Sequence, residues 1–356
     1  MTDLAAQTEP EVLIERHPRM MTIILNRPHE INALTTEMIR LLRQAVDEAR
    51  TEDRFQFVLF LGAGDKGFCS GGDVKILAKA VKAKDFARAE QFFQQEYALD
   101  LYLHRFPKPV IAVLDGITMG GGLGLSAGAD IIIATEASVL AMPETRIGFV
   151  PDVGSTGWLF SKCPPGYPEY LGLTGHEVKG ADSVHLGLAN CFTWRKRLQE
   201  LEDVLTGYPK RLSPGKILGV AQLRAIVRSF AEKLNPSNCV MDEWVAEYFS
   251  GKNSIQEIMT SLSRCRAQNR LCENAYLRMA EHSPTALVLT LELLRHNEGR
   301  PLEEVFAAEE KAVRFIIRHP DYLEGVRSYM LDRDEIPHWQ PPTVAEVPPI
   351  ELNSVV

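Results

Sequence analysis

Two bare turns and two acids give this sequence the makings of a site. From Val110 to Asp152 the chain reads as a short apolar strand (Val110 to Leu114), a glycine turn (Gly116, then Gly120, Gly121 and Gly122), a helix, a second strand (Asp130 to Ala134), and Met142-Pro143-Glu144-Thr145 with Asp152 farther on. Glycine is about 1 kcal/mol worse than alanine inside a helix, so three in a row at a helix start argue that backbone must come close to something. A first turn without side chains exposes free N–H groups, and the helix dipole adds partial positive charge there. A carbonyl oxygen that becomes negative during a reaction would be stabilised at that place, with Gly121 as donor. The earlier loop Phe68-Cys69-Ser70-Gly71-Gly72-Asp73 offers a second bare amide at Gly72. Two converging amides form an oxyanion hole, each donor contributing roughly 3 kcal/mol. Tight packing of helix on strand would explain either loop alone, and Pro143-Glu144 and Pro151-Asp152 both have turn composition.

Other patterns lead elsewhere and are weaker. Gly62-Ala63-Gly64-Asp65-Lys66-Gly67 spells a dinucleotide fingerprint, but that motif must open a helix, and Phe68-Cys69-Ser70-Gly71-Gly72 is a poor helix start. Gly124-Leu125-Ser126-Ala127-Gly128 has the spacing of a serine-hydrolase elbow, yet the glycine run places Ser126 inside the helix, not at the strand-to-helix turn. Ser126 is expected to be a small packing residue. Cys69 has no histidine in either motif and is expected to be a buried thiol. The histidines show no zinc-binding spacing, and no metal is implied.

Ser70-Gly71-Gly72-Asp73 and Gly116-Ile117-Thr118-Met119-Gly120-Gly121-Gly122, followed by Asp130-Ile131-Ile132-Ile133-Ala134-Thr135, resemble the enoyl-CoA hydratase/isomerase (crotonase) superfamily. Met142-Pro143-Glu144-Thr145, Ile147 to Gly154, Ser283-Pro284-Thr285, Leu331-Asp332-Arg333-Asp334 and Pro337-His338-Trp339 resemble its 3-hydroxyisobutyryl-CoA hydrolase branch. The similarity runs over nearly the whole chain. It implies a thioester carbonyl held by the Gly72 and Gly121 amides, with Glu144 and Asp152 as the catalytic acids. Hydratases of the superfamily use two glutamates, one aligned with Glu144 and one just after the triple glycine, where this chain has Gly124. The resemblance therefore favours hydrolysis to free acid and free coenzyme A, as in valine breakdown. Glu144 either attacks the thioester or deprotonates water, while Asp152 orients the water or the substrate hydroxyl. Gln95-Glu96-Tyr97 matches a hydrolase motif and makes Glu96 a substrate-contact candidate. Ser155-Thr156-Gly157-Trp158 and the Pro-rich run after Lys162 depart from the usual branch pattern and border the expected acyl site. No cofactor is expected, since coenzyme A is part of the substrate. Two other readings are a hydratase or isomerase of the same superfamily and a non-catalytic CoA-binding subunit.

The elements that must position these residues are legible in outline. Met20 to Asn26 and Phe57 to Leu61 read as strands, and from Thr35 the positions Met38, Leu41, Leu42, Ala45, Val46 and Ala49 recur at helical spacing, with Thr35 or Thr36 as cap. Lys79 to Tyr102 reads as one helix. Alternating strands and helices indicate an α/β class with right-handed crossovers; the resemblance implies a crotonase-like spiral of ββα units with a helical C-terminal region. Gln222 to Ala231, Ser254 to Ser263, Pro284 to Arg295 and Glu303 to Arg318 are helical in pattern. The charged region Arg195 to Leu212, with Gly207, Pro209 and Pro214 nearby, is the best boundary, dividing residues 1–205, the acyl-CoA-binding core, from residues 206–356, a helical region with an extended Pro-rich tail.

With 356 residues, 45% apolar and 24% charged, the composition is that of a soluble globular protein. A net charge of −8 argues against general nucleic-acid or membrane-surface binding, which needs a basic face. A few local cations could still hold the phosphates of an anionic substrate. Six cysteines without paired short spacing are expected to be reduced thiols. The first dozen residues carry Asp3, Glu9 and Glu11 and no basic residue, unlike organellar leaders, so a cytoplasmic location is the expectation. Superfamily members commonly form trimers or hexamers, which makes a homo-oligomer possible.

Overall fold

The computed structural model describes residues 9–207, 218–233, 239–334 and 336–350. Its first part winds strands and helices alternately: β1 (Val12–Arg16), β2 (Met20–Leu25), α1 (Thr36–Thr51), β3 (Phe57–Gly62), β4 (Gly67–Cys69), α2 (Val74–Lys82) and α3 (Phe86–His104). The winding continues through β5 (Val110–Leu114), β6 (Ile117–Met119), α4 (Gly121–Ala127), β7 (Ile131–Ala134) and β8 (Val139–Ala141). One sheet has the order β1-β2-β3-β5-β7 and ends on β10 (Cys191–Phe192); the other runs β4-β6-β8 and ends on β9 (Val178–Lys179). Each turn of the spiral gives one strand to each sheet: β3 then β4, β5 then β6, β7 then β8. Pairing is parallel except at the two ends, where β1 meets β2 and β8 meets β9 antiparallel.

The larger sheet is apolar on both faces because both are covered. Met21, Ile23, Val58, Phe60, Ala112, Leu114 and Ile132 point into the main core, whereas the alternate residues Met20, Phe57, Leu59, Ile111, Val113, Ile131 and Ile133 face a second cluster. That second cluster is closed by Leu201 and Leu205 and by Leu223, Ile226 and Val227. Between β8 and this cover lie α5 (Ser155–Lys162), α6 (Tyr167–Thr174) and α7 (Asp182–His185), and the cover itself is α8 (Leu198–Gly207) and α9 (Val220–Arg228). The boundary expected after residue 205 falls within α8, and the covered sheet face draws on residues from both sides of it. Leu212, Pro209 and Pro214 lie outside the described residues.

The rest is helical: α10 (Cys239–Phe249), α11 (Ile255–Cys265), α12 (Arg270–Glu281), α13 (Pro284–Asn297), α14 (Leu302–Ile316) and α15 (Pro320–Val326). This layer closes over the spiral, α14 packing on α3 and α5, and α15 on α2.

Two expectations need correction. The helix expected over Lys79 to Tyr102 is two helices, because Lys84 takes a left-handed φ of 59° and Asp85 caps α3 by accepting from the Arg88 amide. Of the six cysteines expected to be reduced, Cys265 and Cys272 are joined by a disulfide, Cα to Cα 6.0 Å. Their seven-residue separation spans the turn from α11 to α12, which brings one sulfur across to the other. Cys69 is a buried thiol, pushed up to about 12 by burial. Ser126 is buried with its hydroxyl donating to the Leu123 carbonyl.

Candidate active site

Gly72, Gly121, Glu96, Glu144 and Asp152 all line one cavity of about 740 Å³. The two glycine turns touch: a β-carbon on Gly71 would stand 3.3 Å from the Gly121 amide nitrogen, and one on Gly122 would press on the Cys69 carbonyl. Gly120, the residue before α4, has φ +48° and ψ −120°, a conformation costly for any residue with a β-carbon. The Gly72 turn is held by a backbone bridge in which Leu34 donates to the Gly71 carbonyl and Asp73 donates to the Leu34 carbonyl. That bridge leaves the Gly72 N–H unused. Among the described residues neither Gly72 nor Gly121 has an acceptor for its amide, as an anion receptor requires.

The acids stand around these turns. Glu144 opens a short 3₁₀ helix over Glu144–Ile147, and its Oε1 sits so close over Gly120 that a β-carbon there would approach to 2.6 Å. Its Oε2 is buried and without a partner. Behind it, Thr145 accepts the Ser283 amide on its carbonyl, and its hydroxyl lies 2.9 Å from His282 Nδ1. The same nitrogen lies 3.1 Å from the Leu173 carbonyl, which can only accept, so Nδ1 carries the proton. Burial pushes His282 down to about 4, leaving the ring neutral. Glu96 projects from α3 until a β-carbon on Gly121 would overlap its Oε1, and that oxygen too has no partner. Asp152 is buried and accepts from the Tyr97 hydroxyl at 2.6 Å.

Two further carboxyls complete the cluster. Asp100 lies one turn after Glu96 on α3, buried, with Oδ2 unpartnered; Glu309 reaches in from α14 and is fully buried. Among the described residues, none of these acids is ion-paired with a lysine or arginine. Burial raises all five, and repulsion from neighbouring carboxyls adds to it for four: Glu96, Asp100 and Glu144 rise well above the carboxylate range and Glu309 to about 8, while Asp152 is raised by burial alone, to about 7, against the pull of the Tyr97 hydroxyl. Such a site can hold a carbonyl oxygen between two amides, with one acid ready to donate a proton and another able to take one. Among the described residues no group of three or more His, Cys, Asp or Glu side chains is arranged to hold a metal ion.

A family model described as enoyl-CoA hydratase/isomerase matches residues 20–356. The chain belongs to that family. Among curated relatives it is 34% identical to the mitochondrial 3-hydroxyisobutyryl-CoA hydrolase of Danio rerio, over 97% of this chain and 88% of the relative. It is 33% identical to the Homo sapiens protein of the same name, with the same coverage. Among solved structures it resembles a carnitinyl-CoA dehydratase from Mycobacterium thermoresistibile, with a TM-score of 0.87 at 29% identity over 97% of this chain and 96% of that one. An enoyl-CoA hydratase from Rhodobacter sphaeroides follows at 0.85 and 29%, with the same coverage. The family's spiral of ββα units is the architecture described above. These findings overturn the cytoplasmic expectation, because the hydrolase relatives are named mitochondrial. An acidic first dozen residues is no signal for a compartment.

Membership in the enoyl-CoA hydratase/isomerase family leaves Asp100 and Glu309 to be explained, neither of which is among the residues expected at the site. A signal was present. Asp100 continues the buried stripe Ala89, Phe92, Phe93, Glu96, Tyr97 and Leu103 of α3, and Glu309 sits among Val305, Phe306, Ala312, Val313 and Ile316 of α14. Carboxylates on the apolar stripe of a helix do not face solvent.

Proposed function

We propose that this protein is an acyl-CoA thioester hydrolase that converts 3-hydroxyisobutyryl-CoA and water to 3-hydroxyisobutyrate and coenzyme A, a step of valine breakdown. One observation carries the reading: Glu144 and Asp152, the acid pair of the hydrolase branch, face the same cavity as the Gly72 and Gly121 amides, which have no acceptor among the described residues, in a chain similar to those hydrolases almost end to end. In this reading the thioester oxygen accepts from Gly72 and Gly121, which stabilise the charge that develops there. In its ionised form Glu144 either attacks the carbonyl carbon, giving an anhydride that water then opens, or removes a proton from the attacking water; both routes release the coenzyme A thiol. Asp152, held by Tyr97, orients the water or the substrate hydroxyl, and Glu96 contacts the acyl group beside Gly121. Lys75, Arg278 and Arg333 also line the cavity and offer positive charge for the substrate's phosphates.

The likeness to a dehydratase and a hydratase supports a second reading, addition of water to an enoyl-CoA. Against it stands Gly124, where a hydratase would present its other glutamate. A β-carbon at that position would run into the Val153 side chain and come within 2.7 Å of Asp100 Oδ2. Free-thiol release from 3-hydroxyisobutyryl-CoA, measured beside the change in enoyl absorbance with crotonyl-CoA, separates the two. Thiol release with an unchanged enoyl signal is expected; the reverse would replace hydrolysis by hydration.

A further inference from the structure

Asp152 stands on a turn that the local sequence does not favour. Val153 has φ +54° and Gly154 φ +79°, and a β-branched residue in the left-handed region persists only where its surroundings hold it there. Two groups do so. The Trp158 indole donates to the Val153 carbonyl at 3.1 Å. Glu309, on a helix 155 residues away in sequence, accepts from the Gly154 amide on Oε2 at 2.6 Å and from the Thr156 amide and hydroxyl on Oε1 at 3.1 and 2.5 Å. Asn297 of α13 donates in turn to the Thr156 hydroxyl oxygen at 2.8 Å, which orients that hydroxyl's proton toward Glu309. The same face of α14 sets Phe306 against Gly154 and against the Tyr97 ring, centroids 5.6 Å apart, and Tyr97 is the residue that donates to Asp152. Both supports of Asp152, the turn beneath it and the phenol beside it, therefore rest on one helix of the C-terminal layer.

We infer that Glu309 is a positioning residue of the active site, fixing through Gly154 and Thr156 where the Asp152 carboxyl stands. This rests on the hydrolase reading only for its kinetic consequence. The carboxyl matters, not its size. A glutamine there presents one acceptor and one N–H₂, so either Gly154 or Thr156 faces a donor and loses its partner. The groups facing Glu309 from the elements around it are Tyr97 and Asp100 of α3, Glu144 of the 3₁₀ turn and Asp152 itself; α5 and α13 present only the neutral Thr156 and Asn297. Every titratable member of that set is acidic or phenolic. Burial is the largest cause that holds Asp152 up, so a turn loosened by loss of Glu309 admits water to that carboxyl and lets it ionise at lower pH.

Glu309→Gln and Thr156→Val in the full chain test this. Glu309→Gln is expected to lower kcat for thiol release about ten- to a hundred-fold, with KM within about two-fold, since displacement of a reacting group acts on turnover. The titration of Asp152, followed by carboxyl ¹³C NMR without substrate, is expected to move to lower pH. Thr156→Val keeps the carboxyl and both amide bonds, and is expected to cost a few-fold in kcat with the Asp152 titration unmoved. A folded Glu309→Gln protein with wild-type turnover and Asp152 titration overturns the inference. If Glu309→Gln does not fold, Thr156→Val decides: unchanged kcat overturns the inference and a few-fold loss at constant KM supports it. Should the wild-type chain release no thiol, the hydrolase reading fails, and the Asp152 titration alone judges Glu309.

Discussion

The acids around Asp152 and the acids around Arg327 are the same residue types in opposite circumstances. Arg327 sits among Glu324, Asp332 and Asp334 at 2.8, 2.8 and 2.6 Å, its guanidinium satisfied from several sides at the surface. Its charge and hydrogen bonds hold Glu324 below the usual carboxylate range and take Asp334 down to about 2. Around Asp152 no such cation stands among the described residues, the side chains are buried, and all five carboxyls are pushed upward. The surface group ties the start of the tail to α15 at little energetic consequence, since exposed pairs are screened and solvated. The buried group opposes folding whenever its members ionise, and oxygens of Glu96, Asp100 and Glu144 lack any partner. Strain of that kind, gathered around two unused amides, marks a place kept for chemistry rather than for stability.

That contrast can be broken from either side. The largest effect is expected from Gly121→Val, whose side chain would displace the Glu96 carboxyl and fill the space the substrate carbonyl needs. Turnover should fall by about a hundred-fold or more, as when an oxyanion donor is lost. Normal kinetics would remove Gly121 from the mechanism. Asp152→Asn keeps an acceptor for Tyr97 and should lower kcat by about a hundred-fold while leaving the unfolding temperature equal or higher at pH 8. A protein that loses stability and activity in proportion would make Asp152 a structural residue.

Stability against pH should separate the two groups next. For a buried acid raised in the folded state, the folded chain holds more protons than the unfolded one between the unfolded value near 4 and the folded value. Stability is therefore full below that window and is lost as pH climbs through it, for Asp152 toward about 7 and for Glu309 toward about 8. The unfolding temperature should decline from pH 5 to pH 8, and less steeply in Asp152→Asn; a rise over that range would contradict the assignment. The smallest effect belongs to the surface. Arg327→Ala should lower the unfolding temperature by less than about 4 °C, and less still in high salt, with kcat unchanged.

Several strands and helices and both glycine turns are legible because they depend on local rules: continuous apolar runs for strands covered on both faces, and missing side chains where backbone must approach backbone; their winding into a spiral is legible only through the family resemblance. Gly72 and Gly121 stand out by those local rules, whereas Glu144 and Asp152, set in stretches of ordinary turn composition, stand out only through the family resemblance. Asp100 and Glu309 do not stand out, since their meaning depends on which face of α3 and α14 is buried and on a contact reaching from Gly154 to residue 309. The break at Lys84 is not legible because apolar residues keep nearly the same period across it. The Cys265–Cys272 pair is not legible because a seven-residue separation has no meaning until the turn between α11 and α12 is known.

Glu144→Gln puts stability and chemistry against each other in one protein. Thiol release from 3-hydroxyisobutyryl-CoA should drop about a thousand-fold while the unfolding temperature at pH 8 holds or rises, because a buried acid has been replaced by a neutral group of the same shape. Undiminished thiol release from a fully folded Glu144→Gln protein would contradict the account.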